Sequence, residues 1–203
     1  MARIVVAATE ATPDAPGSGF IPPCTAEQAL ELAQAALDDT VRIASSTGHP
    51  VTVVLDVTSP LTAPAGAAEL RPELDDEDER IAAGLVDGDG PVLVLRARTP
   101  QVTEAVVADL LEALDGPYGD AVAALTVDES WWALGLARPE PSALLGLPMR
   151  GPGSGTHLLD RLHGLGLALG LGERLLAAET HDDLAPVAEQ AATGRFTAAF
   201  GTL

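Results

Sequence analysis

The chain has 203 residues, of which 47% are hydrophobic, so it is long enough to bury a core within one domain. Its formal net charge of −19 comes from 30 acidic residues and 11 basic ones, all of them arginine, and this balance argues against nucleic acid as a partner. No apolar run reaches the roughly 18 to 20 residues of a membrane span. The single cysteine, Cys24, and the absence of a secretion-signal pattern predict a soluble protein of the reducing cytoplasm.

Short apolar runs alternate with amphipathic segments along the whole chain. Strands are favoured where β-branched and aliphatic residues cluster, and helices where apolar residues recur every three or four positions. In chain order the patterns predict a strand at 3–8, a loop at 9–23, a helix at 25–45, a strand at 51–55, a loop at 59–68, an acidic run at 73–79 leading into a helix to 85, strands at 91–95, 121–125 and 131–136, a helix near 156–163, and a strand near 167–171.

Helix starts have their own local signals. Thr25 with Gln28 and Thr180 with Asp183 form capping-box patterns, and the second of these predicts a last helix that ends near residue 192. Thr99–Pro100 combines an N-cap residue with a proline suited to the first helical position, which predicts a helix from there to about residue 114.

The alternation of strands and helices predicts an α/β domain over residues 1–203, with a mainly parallel sheet and helices on both faces. In such open sheets, ligands bind beyond the carboxyl ends of the strands. Two stretches are therefore candidate sites. One is the apolar strand that ends in Arg96 and Arg98, and the other is the run from Asp128 to Trp132, which places two carboxylates beside two tryptophans.

The order of motifs resembles that of a bacterial family of GT-A-like transferases, catalogued as domain of unknown function 2064 and described as selenodomain-associated glycosyltransferases. The resemblance covers nearly the whole chain. It is carried by Pro22–Ala29, Thr99–Thr103, Trp131–Leu136, Leu147–Met149 and Thr180–Leu184. It implies a GT-A-like, Rossmann-related fold and a nucleotide-sugar or other phosphorylated small molecule as ligand. Mg²⁺ and Mn²⁺ are the candidate cations, but no cofactor is certain.

Several of the motifs implied by this resemblance are altered. The loop after the first strand, which would hold phosphates through a basic glycine-containing segment, has Gly17 and Gly19 but no cation. Arg98 stands where the resemblance implies a metal-facing aspartate. The aspartate-glycine-glycine-aromatic turn becomes Asp128-Glu129-Ser130-Trp131, and this loss of glycine matters if the turn needs a positive φ.

Two further positions depart from the family pattern. Glu179 is the one acid kept in the segment before the last helix, and Arg150-Gly151 replaces a serine or threonine. Asp128 and Glu179 are the remaining candidate metal ligands, with solvated loop acids as the alternative. Arg98, with Arg96 or Arg150, could instead bind phosphate without a metal, because a guanidinium binds phosphate bidentately. The alternative is that these arginines pair with nearby acids.

The tryptophans and the glycine-rich stretch leave similar choices. Trp131 and Trp132 on one strand point to opposite faces, so at most one would stack on a ligand ring while the other packs in the core, and both could be core. The segment 151–155 could bind an anion through backbone N–H groups. The acidic run at 73–79 is interpreted as solvated.

Three functional hypotheses remain. The first is a nucleotide-sugar transferase with altered or metal-independent donor handling. The second is a catalytically inactive relative that acts as a binding or scaffolding protein. The third is a different reaction in the same cleft, with Asp128 and Glu129 as acid–base groups.

Overall fold

The computed structural model describes residues 1–8, 19–86, 88–116, 119–191 and 193–203. Its strands are β1 (Arg3–Ala8), β2 (Val51–Leu55), β3 (Ala68–Leu70), β4 (Val92–Arg96), β5 (Ala121–Leu125), β6 (Trp131–Leu136) and β7 (Leu169–Leu171). Its α-helices are α1 (Ala26–Ser46), α2 (Glu77–Ala83), α3 (Glu104–Asp115), α4 (Ser154–Gly164), α5 (His181–Gln190) and α6 (Arg195–Phe200), and Pro141–Ala143 forms a 3₁₀ turn.

The strands form one sheet in the order β3-β2-β1-β4-β6-β5-β7. β6 runs antiparallel to both of its neighbours, because the short turn at 126–130 returns the chain directly beside β5. The other paired strands are parallel. This mainly parallel sheet confirms the predicted fold class.

Helices cover both faces of the sheet because side chains alternate along each strand. On β1, Ile4 and Val6 pack into the core under α1 and α3, whereas Val5 packs into the core under α2 and α4. α5 and α6 pack together against the outer side of α1. None of the described helices is both long enough and apolar enough to cross a membrane.

The strand order reverses between the neighbouring parallel strands β1 and β4. From β1 the sheet extends through β2 to β3, and from β4 it extends the other way through β6 and β5 to β7. Open α/β sheets bind ligands in the crevice beyond the carboxyl ends of the strands at such a switch point. The carboxyl ends of β1 and β4 are Ala8 and Arg96.

Two predicted helix boundaries were wrong. Thr99 is buried in a turn where its carbonyl accepts from Val102 N at 2.9 Å, and the real N-cap of α3 is Thr103, whose side chain accepts from Val106 N. Residues 97–102 form turns before α3, so the proline at position 100 lies outside the helix.

The C-terminal helix is also divided differently from the prediction. The predicted capping box of Thr180 and Asp183 is present, but α5 ends at Gln190 and α6 follows it. The buried carboxylate of Asp39 on α1 accepts from the backbone N–H groups of Arg195 and Phe196, at 3.1 and 2.9 Å. This cap comes from a distant helix, so no local pattern announces it.

Candidate functional site

The segment 175–181 crosses the carboxyl edge of the sheet, where the parallel strands end. Ala178 N donates to the carbonyl of Arg98 at 2.8 Å, just beyond β4. Further along, His181 N donates to the carbonyl of Gly19 at 2.9 Å. The segment therefore lies beside the β1–β4 switch point and carries Glu179 to it.

Arg98 and Glu179 meet at this point. Arg98 Nη1 lies 2.6 Å from Glu179 Oε1, and the two side chains are 19% and 24% exposed. Burial lowers the pKa of Arg98, the charge of Glu179 opposes that shift, and Arg150 adds to it. Asp128 also raises this pKa by its charge, so it belongs to the same electrostatic neighbourhood. The structure thus brings together four residues from four separate parts of the sequence.

Arg96 is more deeply buried than Arg98, with 3% of its side chain exposed. It donates to the carbonyl of Met149 and to Glu77 Oε1, the latter at 2.9 Å, and its guanidinium lies 5.0 Å from the ring centroid of Trp131. Burial lowers the pKa of Arg96 to about 9, so the group is still protonated at neutral pH. Its contacts hold the end of β4 against α2 and against the segment before α4.

Glu77, at the start of α2, bridges two of the predicted arginines. Its Oε1 pairs with Arg96 and its Oε2 with Arg150 Nε at 2.7 Å. The interpretation of the whole acidic run as solvated was therefore wrong for Glu77, whose side chain is only 12% exposed. Nothing in the local sequence separates Glu77 from its acidic neighbours, since its partners lie 19 and 73 positions away.

The three predicted arginines are thus brought together, and each of them pairs with a carboxylate. Among the described residues, Glu77 pairs with Arg96 and Arg150, Glu179 pairs with Arg98, and Asp128 adds its negative charge near Arg98. Such pairing is the alternative that the sequence left open for the arginines. Any anionic ligand at Arg98 must compete with Glu179.

Asp128 lies in the turn between β5 and β6 and is exposed. Its carboxylate accepts from the hydroxyls of Thr126 and Ser130, the second at 3.1 Å. Within the described ranges, no three histidine, cysteine, aspartate or glutamate side chains group closely enough to hold a metal ion. Since Glu179 binds a guanidinium and Asp128 closes its own turn, this donor set does not fit a divalent cation.

Glu129 adopts a left-handed conformation, with φ of 66°. This is one of the two positions where the resemblance implies glycine, and the turn takes a positive φ here although the residue is glutamate. The carbonyl of Glu129 accepts from Gly155 N at 3.0 Å, and a Cβ at position 155 would lie 2.6 Å from that oxygen. The turn and the start of α4 are therefore locked together. The side chain of Glu129 is exposed.

The segment 151–155, which was predicted as a candidate anion site, has backbone N–H groups that already donate within the protein. At the start of α4, Ser154 N donates to the carbonyl of Gly151 at 3.1 Å, and Gly155 N donates to Glu129. Two of the first amides of the helix are therefore already bonded within the protein.

Both tryptophans lie in the core, which is the alternative that the sequence left open, and neither ring is exposed for stacking on a ligand. Trp131 and Trp132 are each 1% exposed and belong to the cores on opposite faces of the sheet. Trp132 Nε1 donates to the carbonyl of Glu173 at 3.0 Å. Consecutive side chains of β6 point to opposite faces of the sheet, and helices cover both faces, so both rings are buried.

The two predicted loop glycines have different outcomes. Gly17 lies outside the described residues. Gly19 has a φ of 58°, and a Cβ at this position would lie 1.7 Å from the carbonyl oxygen of Glu179. Only glycine permits this approach, so Gly19 fixes the end of the β1 loop against the segment that carries Glu179.

No protein-family model matches the chain, and no curated protein matches its sequence. Solved structures do. A candidate nucleotide-diphospho-sugar transferase from Desulfovibrio desulfuricans G20 gives a TM-score of 0.74 at 14% identity, over 88% of this chain and 82% of that one. The fold is that of nucleotide-diphospho-sugar transferases.

Two more structures extend the comparison. Rv0371c from Mycobacterium tuberculosis H37Rv, in complex with manganese, gives a TM-score of 0.58 at 16% identity, over 92% of this chain and 96% of that one. CMP:2-keto-3-deoxy-manno-octonic acid synthetase in complex with CTP gives 0.55 at 15% identity, with the same coverage of 92% and 96%. At these identities the similarity is one of fold.

Proposed function

We propose that this protein is nucleotide-sugar transferase-like and that it binds the diphosphate of its donor at the β1–β4 switch point without a divalent cation. The observation that carries the proposal is the position of Arg98. Its guanidinium lies just beyond the end of β4, where open α/β sheets bind ligands. A fixed, partly buried cation there is suited to phosphate oxygens, which a guanidinium binds bidentately.

In this function Arg98 would neutralise charge on the diphosphate as it departs, which is the task a divalent cation performs in a metal-dependent transferase. Asp128 lies in the same electrostatic neighbourhood and is exposed. Besides the hydrogen bonds that it accepts from Thr126 and Ser130, its carboxylate has acceptor capacity left to orient an acceptor hydroxyl. Arg96 and Arg150 support the site indirectly, because both are held by Glu77.

The comparison makes a nucleotide ligand reasonable, since one of the structures with this fold holds CTP. We also propose that the chain belongs to the selenodomain-associated transferase family. The left-handed Glu129 supports this, because it keeps the backbone shape of a turn in which the family has glycine. Location in the cytoplasm stays a prediction that rests on the lone cysteine.

A second function is favoured by one specific observation. Arg96, Arg98 and Arg150 all have carboxylate partners, and the donor set does not fit a metal. A relative that lost catalysis and kept the fold as a binding or scaffolding protein would show this pattern. In that case the ion pairs would be structural, and no nucleotide would displace Glu179.

Isothermal titration calorimetry separates the two functions. The protein is titrated with nucleoside diphosphates and nucleotide sugars in EDTA, and again with Mg²⁺ or Mn²⁺. Binding in EDTA that added metal does not strengthen is the expected result. Binding that requires metal would contradict the role of Arg98, and absence of binding at millimolar ligand would favour the scaffolding function. A bound nucleotide sugar is then tested for release of nucleoside diphosphate in the presence of candidate acceptors.

A further inference from the structure

The carboxylate of Glu179 is delivered to Arg98 by a well-anchored backbone. Glu179 N donates to Asp183 Oδ2 at 3.3 Å, and the preceding Ala178 N donates to the carbonyl of Arg98. The carbonyl of Glu179 lies against Gly19, where a side chain would collide with it. The main chain is therefore fixed on both sides, and only the side chain of Glu179 is left to move.

Both partners of the ion pair reach water. With exposed fractions of 19% and 24%, both charged groups lie at the surface of the site, where a ligand oxygen can approach Arg98 from solvent. A carboxylate and a phosphate accept from a guanidinium in similar planar geometry. Glu179 thus occupies the position on Arg98 that a ligand phosphate would need.

Resting on the proposed function, we propose that Glu179 is a specificity-determining residue, an internal anion that only a more highly charged group such as a diphosphate displaces from Arg98. Moving Glu179 away takes a charge-assisted hydrogen bond from Arg98, and such a bond is stronger than one between neutral groups. The entering ligand must therefore replace the lost interaction. A diphosphate brings more charge and more acceptor oxygens to one guanidinium than a single phosphate or a carboxylate brings, so the pair discriminates by ligand charge.

The test compares wild-type protein with Glu179→Gln, which keeps the shape of the side chain and removes its charge. Glu189→Gln is the matched control, because Glu189 is an exposed acid on α5, the helix that follows Glu179. The probes are inorganic pyrophosphate and inorganic phosphate, titrated by calorimetry in EDTA at constant ionic strength. Far-UV circular dichroism confirms folding, and Glu179→Ala serves as a second variant if Glu179→Gln is unfolded.

Wild-type protein is expected to bind pyrophosphate more tightly than phosphate. Glu179→Gln should bind phosphate about tenfold more tightly than wild type, since one charge-assisted hydrogen bond no longer has to be broken, and its preference for pyrophosphate should narrow. Glu189→Gln should stay within about twofold of wild type, because exposed charges at a distance are screened.

The other outcomes are distinguishable. If wild type binds pyrophosphate and Glu179→Gln binds both anions as wild type does, Glu179 is no competitor and this inference is overturned while the proposed function stands. If neither wild type nor the variant binds either anion, the phosphate site fails and both proposals fall. An equal gain of phosphate affinity in Glu189→Gln would mean that the effect comes from the net charge of the protein, and this would also overturn the specificity role of Glu179.

Discussion

Arg98 and Glu179 are 81 positions apart in the chain, yet their side chains meet at 2.6 Å beyond the end of β4. The pair stands where β1 and β4 lead the sheet in opposite directions, which is where the fold favours a ligand. A cation and its counter-ion therefore occupy the place in which the resemblance implied a metal and its carboxylates.

Arg98→Ala should weaken the binding of nucleoside diphosphates. Loss of a hydrogen bond to a charged group costs about 2 kcal/mol, or roughly thirtyfold in Kd. Arg138→Ala is the control, because Arg138 is exposed and its substitution removes the same charge from another part of the protein. Calorimetry in EDTA gives both affinities. An unchanged Kd for Arg98→Ala, or an equal loss in Arg138→Ala, would remove Arg98 from the site.

Gly19→Ala should destabilise the protein more than Gly48→Ala. Both glycines have positive φ, 58° and 76°, so both substitutions carry the left-handed penalty of about 1–2 kcal/mol. Only Gly19 also has a neighbour, the Glu179 carbonyl, at 1.7 Å from the added Cβ, whereas Gly48 has nothing within 4 Å. Forced backbone shifts add about 1–3 kcal/mol.

The free energy of unfolding in urea, followed by tryptophan fluorescence, measures this difference. Equal losses in the two alanine variants would mean that residues 19 and 179 do not approach as closely as the structure shows.

Glu129→Gly should stabilise the protein. A non-glycine residue in the left-handed region costs about 1–2 kcal/mol, and glycine removes that cost. Glycine also raises the conformational entropy of the unfolded chain, which offsets part of the gain, so the net stabilisation is about 0.5–1 kcal/mol. Glu129→Ala has the same backbone constraint and should change stability little, because the Glu129 side chain is exposed. Thermal unfolding of the two variants makes the comparison. A similar shift in both would assign the effect to the side chain and not to φ.

Tryptophan emission should be blue-shifted and poorly quenched by acrylamide, because both indole rings are 1% exposed. Saturation with a nucleotide should leave the emission nearly unchanged if neither ring stacks on a ligand. Trp131→Phe and Trp132→Phe assign any change to one ring. Strong acrylamide quenching, or nucleotide quenching lost in one variant, would restore a stacking role for that tryptophan.

The sequence by itself determined the main strands, the amphipathic first helix and the capping boxes at Thr25 and Thr180. Apolar periodicity and caps act between residues a few positions apart, so a single sequence displays them. It also placed Arg98 and Asp128 among the site candidates, because strand ends and the turns after them are where α/β sheets carry chemistry, whereas Glu179 was a candidate only through the family resemblance.

Only the tertiary structure decided which charges meet. Glu77 was indistinguishable from its acidic neighbours until Arg96 and Arg150 were seen to bind it, and Asp39 caps a helix that begins more than 150 positions later. Both tryptophans were buried by helices on opposite faces. These outcomes depend on contacts between distant segments, and the order of residues along the chain does not contain the distances that decide them.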